Sequence, residues 1–264
     1  QLENALKRCG AAIFFSATLT PMSYFKKILG CNGDAAGITI PSPFPGENLN
    51  LFISDRISTL YRDREKTRLE VLQAIYTLIN QRKGNYLIFF PSYEYMMMVY
   101  ESFKPHDPDS DIIIQTPGMS ESERDDFLNR YRHTSTNSLV GFAVMGGVFG
   151  EGIDLVGDHL SGAVVVGVGL PGISLENELI KGYFTYTDNA GFEYAYQYPG
   201  INRVLQAAGR VIRTENDRGV VLLIDQRYAT YRYRSLLPIE WQPIRVKNQE
   251  QFAETLQKFW SQEN

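Results

Sequence analysis

Short apolar runs alternate along the chain with longer segments in which apolar residues recur at helical spacing. Near-continuous apolar runs of roughly four to eight residues are typical of strands that are buried on both faces of a sheet. The predicted strands are residues 11–15, 37–40, 49–53, 85–90, 111–115, 139–145, 161–168 and 220–225. Because helical segments separate most of these strands, the pattern predicts an α/β fold with a mainly parallel sheet and helices on both faces.

The helical segments are marked by capping residues. Thr20 is a candidate N-cap with Pro21 at the first helical position, and Ser92 can cap a helix that reaches about residue 103. Ser120 and Glu123 form a candidate capping box for a helix to about residue 132. Helical spacing also predicts helices over residues 62–82, 201–213 and 252–260, and a short one that ends at Gly10. In the helix over 62–82, the predicted core-facing residues are Leu69, Leu72, Ile75, Tyr76 and Ile79.

Length and charge narrow the function classes. The 264 residues fit one large domain or two small ones, and Pro41, Pro43 and Pro45 predict a stiff connector at a domain boundary. The net charge of −4 argues against a protein that coats DNA, so a nucleic-acid site would be a local groove. Cys9 and Cys31 are too few for a four-cysteine site, and the histidines are scattered, so no metal site is predicted. With no long apolar run and no secretory signal, we expect a soluble cytoplasmic protein.

The octet QAAGRVIR at residues 206–213 carries the most suggestive chemistry. On a helix, Gln206, Arg210 and Arg213 lie at i, i+4 and i+7 and therefore share one face. Two arginines held in this way form an anion clamp of the kind that stabilises a transferring phosphoryl group. The alternative is an ordinary amphipathic surface helix whose arginines are solvated.

Polar residues and glycines follow several of the predicted strands. In a parallel sheet, the loops that leave the strand ends converge on one edge, where ligands bind. Ser92 and Tyr93 lie in one such loop, and residues 146–154, GGVFGEGID, form another. Glycines there allow a phosphodiester or ribose to approach the backbone, and Glu151 and Asp154 add acceptors for hydroxyl groups. The alternative for Ser92 is that it acts only as a helix cap. The alternative for the glycines is that they form an ordinary turn.

The chain contains no phosphate-binding loop of the form GxxxxGK[ST] and no acidic pair after an apolar strand. It therefore has arginines to donate to a triphosphate but no cradle in which to hold one. We interpret this combination as half of a site.

Four motifs together resemble a known family. Residues 16–18 (SAT), 90–93 (FPSY), 146–154 and 206–213 follow the order and spacing of helicase motifs III, IV, V and VI. The resemblance is to superfamily 2 DNA helicases of the XPD/DinG type, and residues 42–44 and 225–227 also look like signatures of that family. It covers essentially the whole chain. It implies a RecA-like second motor domain at residues 41–264, preceded at residues 1–40 by the tail of a first motor domain and a linker.

The resemblance also implies roles for individual residues. Arg210 and Arg213 would be arginine fingers that reach the γ-phosphate of ATP held by the first motor domain, and Gln206 would bind the same region. Asp154 would lie near the nucleotide, close to the ribose, and Gly152 and Glu151 belong to the same nucleotide-binding loop. The residues expected to line a single-stranded DNA track are Ser92, Tyr93, Gly146 and Gly147. Ser16 and Thr18 would couple hydrolysis to movement between the two lobes.

The remaining parts of the site are expected outside this chain. The resemblance implies that ATP and Mg²⁺ are bound mainly by the first motor domain. The cysteines that hold an iron–sulfur cluster in many family members would also lie there, so no cluster is expected here. The expected partners are single-stranded DNA and the first motor domain, not a membrane, and the expected location is the cytoplasm, at the nucleoid in a bacterium.

Two other functions fit some of these features. A non-catalytic module for single-stranded nucleic acid could use the aromatic residues at positions 183–198 to stack on bases, although these residues could equally pack the core. A nucleotide-dependent metabolic α/β enzyme is disfavoured by the absence of a phosphate-binding loop.

Overall fold

Seven parallel strands form the central sheet in the part of the chain that the computed structural model describes, which is residues 2–31, 35–104, 110–132, 137–147, 149 and 160–262. The strands are β1 (Leu49–Ser54), β2 (Asn85–Phe90), β3 (Asp111–Ile114), β4 (Leu139–Val144), β5 (Gly162–Val166), β6 (Gly219–Ile224) and β7 (Ile244–Arg245). Their order is β3-β4-β2-β5-β6-β1-β7, and each neighbouring pair is parallel. The predicted α/β fold with a parallel sheet is confirmed.

Helices connect the strands. They are α1 (Leu2–Leu6), α2 (Met22–Ile28), α3 (Arg64–Ile79), α4 (Tyr93–Phe103), α5 (Glu121–Arg132), α6 (Leu175–Asp188), α7 (Tyr198–Ala208), α8 (Tyr231–Arg234) and α9 (Gln249–Ser261). A π-helical turn, Glu193–Gln197, leads into α7. Ser92 caps α4 by accepting a hydrogen bond from the Tyr95 N–H at 3.3 Å. The predicted capping box of α5 is present, since Ser120 N–H donates to Glu123 at 2.7 Å and Glu123 N–H donates to Ser120 Oγ at 3.3 Å.

The alternation of side chains along the strands divides the core into two layers. In β2, Leu87 and Phe89 pack with α5 and α7 on one face of the sheet. Tyr86, Ile88 and Phe90 pack with α3, α4 and α9 on the other face. The strands are therefore apolar on both sides, which is why they read as continuous apolar runs.

Two predicted strands are wrong. Residues 11–15 and 37–40 have no strand conformation, and their apolar side chains point into solvent, with Ile13 86%, Phe15 90% and Ile40 81% exposed. An apolar run becomes a buried strand only when a neighbouring strand pairs with it, and no described strand pairs with either segment.

Two helix details also differ from the prediction. Pro21, not Thr20, occupies the N-cap position of α2. Leu69 is 63% exposed on the solvent side of α3, whereas Leu72, Ile75 and Ile79 are buried as predicted. In the described part of the chain, no helix combines the length and the apolar character that are needed to cross a bilayer.

Candidate functional site

The ends of β2, β3 and β4 bring polar residues together at one edge of the sheet, which we call the carboxyl edge. Ser92 and Tyr93 follow β2, and Gly146 and Gly147 follow β4. A Cβ atom on Gly147 would lie 3.4 Å from Gln115 Nε2, and that nitrogen donates to the Tyr93 hydroxyl at 2.9 Å. The structure therefore unites the four residues that the sequence assigns to one loop cluster.

Gln115 connects these loops, although the sequence did not single it out. Its backbone N–H donates to Phe142 O at 2.8 Å, and its side-chain oxygen accepts from Val144 N–H at 2.8 Å. Because its amide nitrogen also reaches Tyr93, one side chain joins the ends of β2, β3 and β4. The sequence does show that Gln115 lies at the end of an apolar strand. Its hydrogen-bond partners, however, depend on the register of the neighbouring strands.

Arg203 is a second residue that sequence reasoning missed. It projects from α7 to Gly146, where a Cβ atom would lie 2.7 Å from Arg203 Nε, and its Nη1 donates a long hydrogen bond of 3.5 Å to Gly169 O. Both glycines have positive φ, 72° at Gly146 and 67° at Gly169. A cation therefore lies against the glycine loops, which strengthens the case that this edge binds an anion.

Replacing Gly146 by alanine is expected to destabilise the domain by about 1–2 kcal/mol, because an L-residue is strained at this positive φ. The new Cβ would also displace the Arg203 guanidinium. The matched control is Gly182→Ala in α6, where nothing lies within 4 Å of the added Cβ. That change is expected to stabilise by about 0.5–1 kcal/mol, since glycine is unfavourable in a helix. Urea denaturation of both variants measures the difference, and equal stability for the two would contradict this account of Gly146.

The predicted helix over residues 201–213 ends early. α7 stops at Ala208 with Gly209 as its C-cap, so Arg210 and Arg213 lie in a turn beyond the helix and do not share a helical face with Gln206. Beyond the helix the chain lies against the start of β6, where a Cβ atom on Gly219 would be 2.3 Å from Val211. The single-face clamp predicted from spacing is wrong in its geometry.

A buried carboxylate fixes the turn that carries these arginines, which we call the arginine turn (residues 209–217). Asp217 accepts hydrogen bonds from the backbone N–H groups of Arg213 at 2.6 Å and Thr214 at 2.7 Å, and from the Thr214 hydroxyl at 2.8 Å. Arg210 and Arg213 are half-buried on this rigid backbone. A backbone that is fixed in this way determines where the two arginine side chains begin, which reduces the reorganisation needed to position them.

The arginine turn lies at the opposite edge of the sheet from Ser92 and Gly146. Asn48, directly before β1, donates to Glu215 O at 2.9 Å, so the turn adjoins the strand starts. The 11 residues of α7 separate the two edges by about 16 Å. The protein thus presents two separate polar surfaces.

Ser16 and Thr18 lie in the exposed segment before α2 and not at the end of a buried strand. The Thr18 N–H donates to Ser16 Oγ at 3.2 Å, which closes a local turn. Their side chains contact neither of the two polar surfaces within the described residues. Glu151, Gly152 and Asp154 lie outside the described residues.

Comparison with known proteins defines the class of this chain. Residues 75–244 match the family model described as the helicase C-terminal domain. The chain therefore belongs to the helicase C-terminal domain family.

The named relatives include ATP-dependent DNA helicases. The ATP-dependent DNA helicase CHL1 of Debaryomyces hansenii is 27% identical over 268 residues, which cover 89% of this chain and 32% of that protein. The ATP-dependent DNA helicase XPD of Sulfolobus acidocaldarius is 26% identical over 237 residues, which cover 85% and 40%. The chain thus spans about a third of the length of the curated relatives it matches.

Solved structures agree on the fold. An XPD helicase superposes with a TM-score of 0.69 at 21% identity, over 88% of this chain and 42% of that one. Dbp5 of S. cerevisiae, bound to RNA and ADP BeF3, superposes with a TM-score of 0.52 at 16% identity, over 94% and 54%. The fold is that of a RecA-like helicase domain.

Proposed function

We propose that this chain is the second motor domain of an ATP-dependent DNA helicase and works with a first motor domain that holds the nucleotide. The family match and the two named DNA helicases support this role. The single observation that carries it is the arginine turn at residues 209–217, which places Arg210 and Arg213 on a backbone held by Asp217 although the chain has no phosphate-binding loop. In this proposal residues 41–264 form the motor domain, and residues 1–40 are the tail of the first domain and a linker.

Arg210 and Arg213 act as arginine fingers on ATP across the interface between the lobes, with Gln206 beside them. Charge developing on a transferred phosphoryl group is stabilised by donors that are already oriented. The hydrogen bonds to Asp217 support this, because they fix the backbone from which Arg213 projects. Glu151, Gly152 and Asp154 contact the nucleotide, while ATP and Mg²⁺ are held mainly by the first domain. Cys9 and Cys31 cannot supply four thiolates, so no iron–sulfur cluster belongs to this chain.

The carboxyl edge forms part of a single-stranded DNA track. Ser92 begins α4, whose N-terminus favours a phosphate, and Gly146 and Gly147 let the strand approach the backbone. Gln115 holds these loops in one arrangement. Ser16 and Thr18 couple the lobes from the linker side, where Ser16 is exposed and Thr18 is half-buried.

The test compares ATP hydrolysis by the 264-residue chain with hydrolysis by the full-length protein that contains it. The isolated chain is expected to show no turnover above background, because the triphosphate cradle is elsewhere. The full-length protein is expected to hydrolyse ATP and to be stimulated by single-stranded DNA. Turnover by the isolated chain would indicate a complete site and contradict the proposal. Affinity for DNA that is independent of ATP, without any hydrolysis by the full-length protein, would instead indicate a non-catalytic binding module.

A further inference from the structure

A cavity of about 510 Å³ opens beside Arg203, between α2, α6 and the start of α7. Its volume lies within the range of roughly 300–1,000 Å³ that is usual for small-ligand sites. Among the residues lining it are Tyr24, Ser174, Asn177, Phe184, Tyr194 and Arg203. The lining thus combines aromatic rings, which we call the aromatic wall, with polar side chains and a cation.

The cation in this cavity, Arg203, contacts two glycine loops at the carboxyl edge. Arg203 contacts Gly146 and donates to Gly169 O at 3.5 Å, a weak hydrogen bond. Among the described residues no carboxylate forms an ion pair with Arg203, although Glu176 is on the rim of the same cavity. A half-buried guanidinium in this state has donors left for a phosphate.

The aromatic wall is packed into a defined arrangement. Phe184 stacks on Tyr194 with ring centroids 4.0 Å apart and planes 22° apart, and Tyr24 meets Tyr194 edge-on at 5.2 Å. Tyr24 is brought here by α2, which is anchored by a hydrogen bond of 2.8 Å from Asn202 to Thr20 O and by the ion pair of Lys27 with Asp188. Rings that are fixed in this way form a platform for a planar ligand.

We propose that this cavity binds one nucleotide of the single strand, with its phosphate on Arg203 and its base against Phe184 and Tyr24. The inference rests on the proposed function, because it extends the DNA track from Gly146 by one step. Gly146 connects the two sites directly, since the same glycine borders the track and touches the guanidinium. Ser174 and Asn177 lie at the N-terminus of α6 and add polar contacts on the phosphate side.

The role of the Arg203 charge is tested by measuring how tightly the full-length protein binds a labelled oligothymidylate at several salt concentrations. Arg203→Ala is expected to weaken binding about tenfold and to reduce the slope of log affinity against log salt by about 0.7, the value of one lost phosphate contact on a single strand. Arg203→Lys is expected to restore the slope. The matched control is Arg132→Ala in the exposed last turn of α5, which removes the same charge at the other edge of the sheet and leaves the slope unchanged.

The aromatic wall is tested with Phe184→Leu, which keeps an apolar side chain but removes the ring face. Binding of the oligothymidylate is expected to fall at least about fivefold, the effect of one lost base stack. The wild-type protein and the Phe184→Leu variant are expected to bind an otherwise identical abasic strand with equal affinity. A merely structural defect would weaken binding to both strands alike.

The outcomes separate this inference from the proposed function. If wild-type protein neither binds the single strand nor hydrolyses ATP, the proposed function fails. If wild-type protein does both and Arg203→Ala retains the wild-type slope, only the nucleotide cavity is overturned. Binding of free ATP or thymidine monophosphate that depends on Arg203, with unchanged binding of the strand, would also overturn it in favour of a mononucleotide site.

Discussion

Replacing Arg210 or Arg213 by alanine is expected to lower ATP turnover by the full-length protein by about 10³–10⁵-fold, the usual effect of losing an arginine finger. The reason is that the guanidinium groups act on charge that develops only in the transition state, so turnover falls while ATP binding changes little. Single-turnover hydrolysis at saturating ATP and DNA measures the chemical step directly. Binding of a fluorescent ATP analogue supplies the comparison for the ground state.

Folding is expected to survive both changes. The arginine turn is closed by hydrogen bonds from backbone N–H groups to Asp217, and alanine retains those groups. Arg213→Lys keeps the charge but not the planar fork of donors, so we expect only partial activity from it. Arg132→Ala, in the last turn of α5 and outside the arginine turn, should hydrolyse ATP at the wild-type rate. Wild-type turnover in both alanine variants would remove these arginines from the site and, with them, the argument for a split catalytic centre.

The sheet and its edges could be predicted from the sequence because local and tertiary requirements agree there. The runs at residues 85–90 and 220–225 are apolar on both faces and became β2 and β6 nearly residue for residue. Since parallel strands end at one edge, Ser92 and Gly146 could be assigned to one loop cluster before any coordinates existed. Capping residues such as Ser120 were equally reliable, because a cap depends only on residues a few positions away.

The sequence could not predict features that depend on distant neighbours. The octet at 206–213 has helical spacing, yet α7 ends at Ala208, and Val211 lies beyond the helix against Gly219 at the start of β6. The run at 11–15 has strand character but no pairing strand in the described chain. Gln115 and Arg203 became candidates only when strand register and helix packing placed them beside Tyr93 and Gly146. Each miss arises where a contact far along the chain overrides a local preference.

Asp225→Asn is expected to destabilise the domain by about 3–5 kcal/mol, the usual effect of breaking a buried ion pair from one side. The Asp225 side chain is fully buried at the end of β6. It accepts from the Arg227 N–H and Nε at 2.7 and 2.8 Å, from Arg227 Nη2 at 2.7 Å, and from the Thr59 hydroxyl. An asparagine amide cannot accept all four bonds, and it removes the charge that compensates the guanidinium.

The protonation of Arg227 shows how strongly the pair is coupled. Burial acts to lower the pKa of Arg227, but the hydrogen bonds and the negative charge of Asp225 outweigh it, so the pKa is raised above its usual value. Asp225→Asn removes the charge that raises this pKa and leaves the burial that lowers it, so the variant has to accommodate a buried Arg227 without its counter-ion. For this reason the double variant Asp225→Asn, Arg227→Gln is expected to recover part of the lost stability.

Urea denaturation followed by circular dichroism measures these differences. The matched control is Glu65→Gln, which breaks the pair between the exposed Glu65 and the half-buried Arg68 and is expected to cost about 0.5 kcal/mol or less. Asp225 joins β6 to the 3₁₀ turn Gln226–Ala229, and the Tyr228 hydroxyl in that turn donates to Gly167 O at 3.1 Å at the carboxyl edge. Weaker DNA binding should therefore accompany the loss of stability. If Asp225→Asn is no less stable than Glu65→Gln, the buried pair does not hold this edge in place, and the rigidity of the proposed DNA track needs another source.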